Sequence, residues 1–467
     1  MKRIITMLIH NRNVLVSSLM MLIVTGCEEF IRIDPPKTEI TAETVFTSDA
    51  AAQSAIRGIY SLMMTNQSFT KGELERYTGL SSDELLVYSS NNEQQQFYFP
   101  SLLATNNILY STFWSEAYKY ILNANAMLEG LQRSFGLSPI MRQQLEGEAK
   151  FIRAFAHFYL ANLFGDIPYV TTTDYRVNAS ASRLPLENVY EFIREDLKQA
   201  YELMVEDFSF SANERTQPNK WAAMALQSRV CLYTGDWEKA EQLTTQLIDN
   251  GSLFSLEDDL NKVFLKESKE AIWQLKPVVA GTNTFQGQLF ILTTVPANSL
   301  GRVSLSPDVI GMFESDDERS DAWIGTFTNG SDNYYYAHKY KIDYSAVLTE
   351  YNTVLRLAEQ YLIRAEARAH LNNMEGAKAD INAIRSRAGL AGTDADDLTS
   401  LLTAIAHERQ AEFFAEWGHR WLDLKRTNRV NEVLTLVKPD WQPTDVLYPI
   451  PQSERLVNPN LTQNEGY

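Results

Sequence analysis

Along most of the chain apolar residues recur at steps of three and four, the period of helices that bury one stripe. Ala149, Ile152, Ala156, Tyr159 and Leu163 make one such stripe, and Gly165 followed by Pro168 stops it. Leu355, Ala358, Leu362, Ala365 and Ala369 make another. It runs into Asn372-Asn373 and then a further helix through Ala377 and Ile381, which predicts a helical hairpin. A related hairpin lies 137 residues earlier, where Tyr233 to Ala240 aligns with His370 to Ala377.

The two hairpins resemble degenerate tetratricopeptide units, in which small residues such as Ala225, Ala240, Ala365 and Ala377 let neighbouring helices approach closely. Trp114, Tyr118 and Tyr159 fall at helical spacing within apolar stripes and read as scaffold, as does Trp273. Between the hairpins, near residues 251–351, the period changes to short β-prone pieces. Ala271 to Leu275 and Tyr335 to Tyr340 are examples, separated by Gly, Asn, Ser and Pro. A second loop-like stretch is expected from Asn66 to Thr105. The fold class is therefore mainly α, with tetratricopeptide-like hairpins packed against an irregular, loop-rich half that holds a few short strands.

The amino terminus breaks this pattern. Lys2, Arg3 and Arg12 precede an apolar run from Val14 to Val24, which leads into Thr25-Gly26-Cys27, the form of a lipoprotein signal peptide over residues 1–26. At ~1.5 Å per residue that run spans only about half of the ~30 Å hydrocarbon layer, so a lipid on Cys27 fits better than a membrane-crossing helix. Glu28-Glu29 resemble the surface-export tag of lipoproteins of the Bacteroidota. Pro35-Pro36 suit an extended tether over 27–40, and one folded domain is expected from residue 41 to 467.

Composition narrows the possible partners. The chain has 467 residues, 45% hydrophobic and 22% charged, with net charge −17, and without the three leader cations the rest carries −20. Such a body repels phosphate backbones, so no nucleic-acid partner is expected. Cys27 and Cys231 are the only cysteines, which gives no disulfide framework and no zinc site. His407-Glu408 begins like a zinc-protease helix, but Ala411 stands where the second histidine would be, so no metal and no cofactor is expected. Phosphate-binding glycine loops and glycine-flanked nucleophilic serines are also missing.

Near the carboxyl end, the segment from Glu408-Arg409-Gln410-Ala411-Glu412-Phe413 through Trp417-Gly418-His419-Arg420 to Asp423-Leu424-Lys425-Arg426 resembles the hallmark of SusD/RagB-like proteins. The ending Leu447-Tyr448-Pro449-Ile450-Pro451 through Asn458-Pro459-Asn460 to Tyr467 resembles the terminus of the same family. Phe46 through Gly58 and Tyr60, Arg153 to Pro168, and Asp317-Glu318-Arg319 fall in the expected order, so the resemblance spans the mature chain. It implies an outer-membrane, lipid-anchored protein facing the cell exterior, which holds oligosaccharide or peptide over a SusC-like TonB-dependent barrel and performs no catalysis.

On a helix, Glu408, Glu412 and Glu416 share one face and repel unless cations meet them, and Arg409, Arg420, Lys425 and Arg426 are the expected cations. A glycosidase reading would use two of these carboxylates as acid and base, but with 59 acidic residues a carboxylate pair is weak evidence. A third reading is a protein-interaction scaffold using the hairpin faces. For a sugar ligand the chemistry calls for aromatic faces beside amides and carboxylates in loops. That mixture singles out Tyr77, Asp83, Tyr88, Asn91, Phe97 and Tyr98, with Asn92 beside them, and Phe285, Trp323 and Tyr334, flanked by Asn333 and Tyr335, in the insert. The two groups would have to converge in space.

Overall fold

The computed structural model describes residues 45–65, 68–296 and 302–467. The expected leader, Cys27, the tether and the domain start near Thr41 lie outside the described residues. The helices include α1 (Asp49–Met63), α2 (Glu73–Ser81), α3 (Asn92–Tyr98), α4 (Ser115–Arg133), α5 (Pro139–Phe164), α6 (Leu186–Leu203), α7 (Lys220–Thr234), α8 (Trp237–Ile248), α9 (Leu357–His370), α10 (Met374–Arg387), α11 (Leu398–Phe413) and α12 (His419–Arg426). Short polar side chains open many of them by accepting first-turn N–H groups. Ser138 opens α5, Asn219 α7, Asp236 α8, Asn373 α10 and Asp397 α11, and each such cap stabilises by roughly 1 kcal/mol.

From α4 to α10 each helix packs on the one before it, and α11 closes against α9 and α10. The two hairpins anticipated from sequence are α7/α8 and α9/α10. Their turns superpose chemically as the alignment predicts. Gly235 and Asn372 take left-handed backbone at φ 69° and 60°, and the next residues, Asp236 and Asn373, are the caps. Ala240 and Ala377 are fully buried. Trp237 of one hairpin stacks on His370 of the other at 4.0 Å, 8° from parallel.

Residues 249–356 leave this array between α8 and α9. Among the described residues they form no helix longer than six residues and five strands. Those strands are β2 (Ala271–Leu275), β3 (Val303–Leu305), β4 (Ile324–Asn329), β5 (Asp332–Ala337) and β6 (Asn352–Arg356). β2 pairs antiparallel with β6, β4 with β5, and β3 with β1 (Leu85–Val87) from the first hundred residues. Gly325 leaves room for the Tyr336 ring across the hairpin, which a Cβ there would meet at 2.2 Å.

Two expectations need correction. The second stripe does not begin as helix, since Leu355 lies in β6, where both faces are buried, and a fully buried strand mimics a helix start in an apolar pattern. The stretch from Asn66 to Thr105 is not a loop, because it holds α2, β1 and α3. Every residue of α2 is buried, so it has no polar face, and its charged members find partners instead. Arg76 pairs with Glu73 at 3.3 Å and Glu75 accepts from Gln286 at 3.0 Å.

The array and the insert meet around α5, in which every residue from Phe151 to Phe164 except Asn162 is buried. Phe155 contacts Tyr159, Trp273 of β2 and Trp417, with ring centroids 4.9, 5.4 and 5.9 Å away. Each buried aromatic of this kind contributes about 1.5–3 kcal/mol, so the junction is a core and not a hinge. Residues 46–467 form one unit.

Candidate functional site

β1 and β3 pair in register, and β5 lies beside β3. This brings Tyr88, next after β1, against Tyr334 of β5, with centroids 5.9 Å apart and the rings edge to face at 67°. The Tyr88 hydroxyl shares a 2.9 Å hydrogen bond with Ser304 of β3. On the hairpin, Phe327 of β4 lies 6.4 Å from Tyr334. Tyr98 ends α3, half-buried over the Lys438 ammonium at 4.5 Å and 5.0 Å from the exposed Phe99 ring. Its phenol is pushed up by burial and by the neighbouring Tyr88. Asn91 is exposed and caps α3, its carboxamide oxygen accepting the N–H groups of Glu93 and Gln94 at 2.8 and 3.3 Å. Asn92 and Asn333 are exposed as well, and Tyr335 is half-buried.

Four of the candidates, Tyr88, Asn91, Tyr98 and Tyr334, thus come from two segments more than 200 residues apart and lie on β1, α3 and β5 and their ends, at the aromatic face. Phe327 and Phe99 join them, and buried Ser304 holds the Tyr88 hydroxyl from beneath. Phe327 alternates with outward Thr326 and Thr328 along β4, a strand periodicity that a search for helices passes over.

The remaining candidates are placed elsewhere. Trp323 is fully buried, donates from Nε1 to the Leu260 carbonyl at 3.0 Å and has the Lys339 ammonium 4.7 Å from its ring. Tyr77 and Phe97 pack on each other at 4.6 Å inside the core, with Phe113 and Tyr448 around them. Asp83 is buried under a two-pronged hydrogen bond from Arg420. None of these four offers a surface to a ligand. Phe285 is half-buried between Lys71 and Arg76, whose cationic groups lie 5.0 and 5.8 Å from its ring.

The three hallmark carboxylates form the electrostatic centre of the molecule. Arg319 binds Glu408 and Glu412 at 2.6 and 3.0 Å, and Asp317 at 2.8 Å. Arg356 binds Glu412, Glu270 and Glu416 at 2.6, 2.8 and 2.9 Å, Arg387 joins Glu270 and Glu412, and Lys339 holds Glu416. Burial alone would raise Glu412, but the guanidinium groups of Arg387, Arg356 and Arg319 hold it well below the usual carboxylate range. The cations expected for this role are therefore not the ones used. Arg409 and Arg426 share Asp423, Arg420 takes Asp83, and Lys425 donates to the Asn162 carbonyl. Glu408, Glu412 and Glu416 are at most 6% exposed, so they present no acid and base to a substrate.

The aromatic face is open. On the helical side lies a partly open cavity of about 730 Å³, bordered by Trp237, His370, Glu366, Arg409 and Leu402. Among the described residues no cluster of His, Cys, Asp or Glu is arranged to hold a metal ion, and no helix is long and apolar enough to cross a membrane.

Comparison with known proteins gives a consistent set of likenesses. Residues 34–232 match a family described as starch-binding and associating with the outer membrane, and residues 321–467 match the SusD family. SusD-like protein P25 of Formosa agariphila is 25% identical, with 98% of this chain and 99% of that protein covered. A SusD-like protein of Bacteroides ovatus is 24% identical over 86% of this chain and 80% of that one. Among solved structures, a SusD superfamily protein of Bacteroides vulgatus overlays with TM-score 0.80 at 19% identity, covering 91% of this chain and all of the other. A laminarin-binding SusD-like protein overlays with TM-score 0.75 at 23% identity, covering 90% of this chain and all of the other.

Proposed function

The chain belongs to the SusD/RagB-like family, and on that premise we propose that it is a surface-exposed outer-membrane lipoprotein. It captures oligosaccharides and passes them to a SusC-like TonB-dependent barrel without cleaving them. The observation that carries this reading is the convergence of Tyr88, Tyr334, Phe327 and Tyr98 on one face, with exposed Asn91 beside it. Sugar rings present C–H faces that stack on aromatic rings and edge hydroxyls that bond amides. An open face also lets a polymer engage along its length and leave again, which an enclosed pocket would prevent. A relative of the same fold described as laminarin-binding supports a carbohydrate over a peptide.

In this reading Cys27 carries the lipid, and Cys27→Ser moves the protein from the membrane fraction to the soluble one. Affinity electrophoresis and calorimetry against glycan and peptide panels test the ligand. A glycan hit weakened severalfold by Tyr88→Ala or Tyr334→Ala is expected, since an aromatic contact contributes ~0.5–1.5 kcal/mol. Release of shortened products from any glycan would overturn the non-catalytic reading.

The scaffold reading keeps one specific observation in its favour, the cavity between the α7/α8 turn, α9 and α11. Capture of a protein partner that Leu402→Arg abolishes, with no glycan bound, would favour it.

A further inference from the structure

The charges around the aromatic face narrow the ligand further, on the premise that this face is where glycan binds. The segments that build it are Leu86 to Phe99, β3 with the Ser306 that follows it, and the β4–β5 hairpin. Not one contains a lysine or an arginine. Their exposed members are Ser90, Asn91, Asn92, Thr326, Thr328, Asn329, Ser331, Asp332 and Asn333, besides Phe99 and glycine. Where these segments do carry charge, it is negative, at half-buried Glu93 and exposed Asp332.

Among the described residues, Lys438 and Arg302 lie next to these segments, and both are already engaged. Lys438 donates to the Leu80 and Tyr98 carbonyls at 2.8 Å and lies under the Tyr98 ring. Arg302, one residue before β3, donates to the Ile291 carbonyl at 2.5 Å and faces Asp343 at 3.6 Å. Among the described residues of these segments, a sulfated or uronic-acid polymer would therefore meet no free cation and two carboxylates, on a body of net charge −17. Each anionic group would be desolvated without a partner.

We propose that this face is selective for uncharged glycans, with stacking and hydroxyl-to-amide hydrogen bonds as its means of recognition and polyanionic glycans excluded by charge. Binding of this kind barely responds to salt, whereas binding of a polyanion to basic residues weakens steeply as salt rises.

The test uses the full chain in detergent micelles. It compares uncharged β- and α-glucans, mannan and galactan with alginate, pectate, a sulfated galactan and heparin, at low salt and at ~0.5 M NaCl. Expected is at least about tenfold tighter binding of one uncharged polymer than of any anionic one, unchanged by salt and reduced by Tyr88→Ala. The double variant Asp332→Lys with Asn91→Lys should gain salt-sensitive binding of an anionic polymer. Tight, salt-sensitive binding of an anionic glycan by the unaltered protein would overturn the charge inference while leaving glycan capture intact. Binding of an uncharged glycan that survives both Tyr88→Ala and Tyr334→Ala would place the site elsewhere and overturn the inference for this face. Silence toward every glycan, charged or not, would overturn glycan capture itself.

Discussion

At the scale of single residues, burial decides which aromatics are available. Tyr88 and Trp323 read alike in the sequence, both being aromatic and near polar neighbours. The fold leaves Tyr88 half-exposed after β1 and closes Trp323, at the end of a short helix, beneath Lys339. Trp323→Ala should cost ~3–5 kcal/mol of stability and leave the affinity of the folded fraction unchanged, whereas Tyr88→Ala should do the reverse. Denaturant melts alongside calorimetry separate the two, and a fall in affinity without loss of stability in Trp323→Ala would contradict the placement.

Glu84 gives a pH test at the same scale. It is buried beside Asp83, accepts the Ala415 N–H at 3.3 Å and is pushed up to about 8, by burial first and by the Asp83 charge second. At pH below the ordinary carboxylate value both folded and unfolded chains hold this proton. Between that value and about 8 only the folded chain does, so Glu84's contribution to stability is lost as pH rises through the window. Glu84→Gln keeps the acceptor but cannot ionise. Its stability relative to the unaltered protein should therefore improve steadily from pH 5 to 8, and a difference that stays flat would refute the assignment.

At the scale of elements, the hairpins were legible because their signals are local. Gly235-Asp236 and Asn372-Asn373 each supply a left-handed residue followed by a cap, and the apolar stripes on either side have helical period. Asp236→Ala or Asn373→Ala should cost ~1 kcal/mol by removing the acceptor for a first-turn N–H, measurable as a lower denaturant midpoint at unchanged slope. α2 was illegible for the opposite reason. A short helix buried on every side shows no stripe, and its glutamates and arginine resemble a solvated loop until a partner such as Gln286, far away in sequence, is known. The same limit explains the candidate site. Types of residue suited to sugars could be picked out, but Tyr88 and Tyr334 meet only through the β1–β3 pairing and the packing of β5 beside it. That pairing joins two short strands too weakly patterned to be matched from sequence.

At the scale of the whole molecule, the three glutamates of the hallmark tie α11 and the turn after it to the insert. Arg319, Lys339 and Arg356 all come from residues 249–356, and all close on Glu408, Glu412 or Glu416. The motif was recognisable and Glu408 and Glu412 do share a helix face, but the helix ends at Phe413, so Glu416 lies in the turn after it, and the partner cations could not be read from neighbouring positions, since contacts between distant segments leave no local trace. Breaking such a pair leaves buried charge uncompensated, at a cost of ~3–5 kcal/mol. Glu412→Gln should therefore lower the thermal midpoint markedly without altering the affinity of molecules that still fold. A variant as stable as the parent would argue against the network.

The arrangement of that network also bears on the order in which the protein is made. Ribosomes deliver Arg319, Lys339 and Arg356 well before Glu408, Glu412 and Glu416, so the nascent insert carries cations that wait for residues 408–416. A product cut short before residue 408 would own every ring of the aromatic face yet lack the anions that hold its support together. It should be open to proteolysis, so that only completed copies survive to display the face.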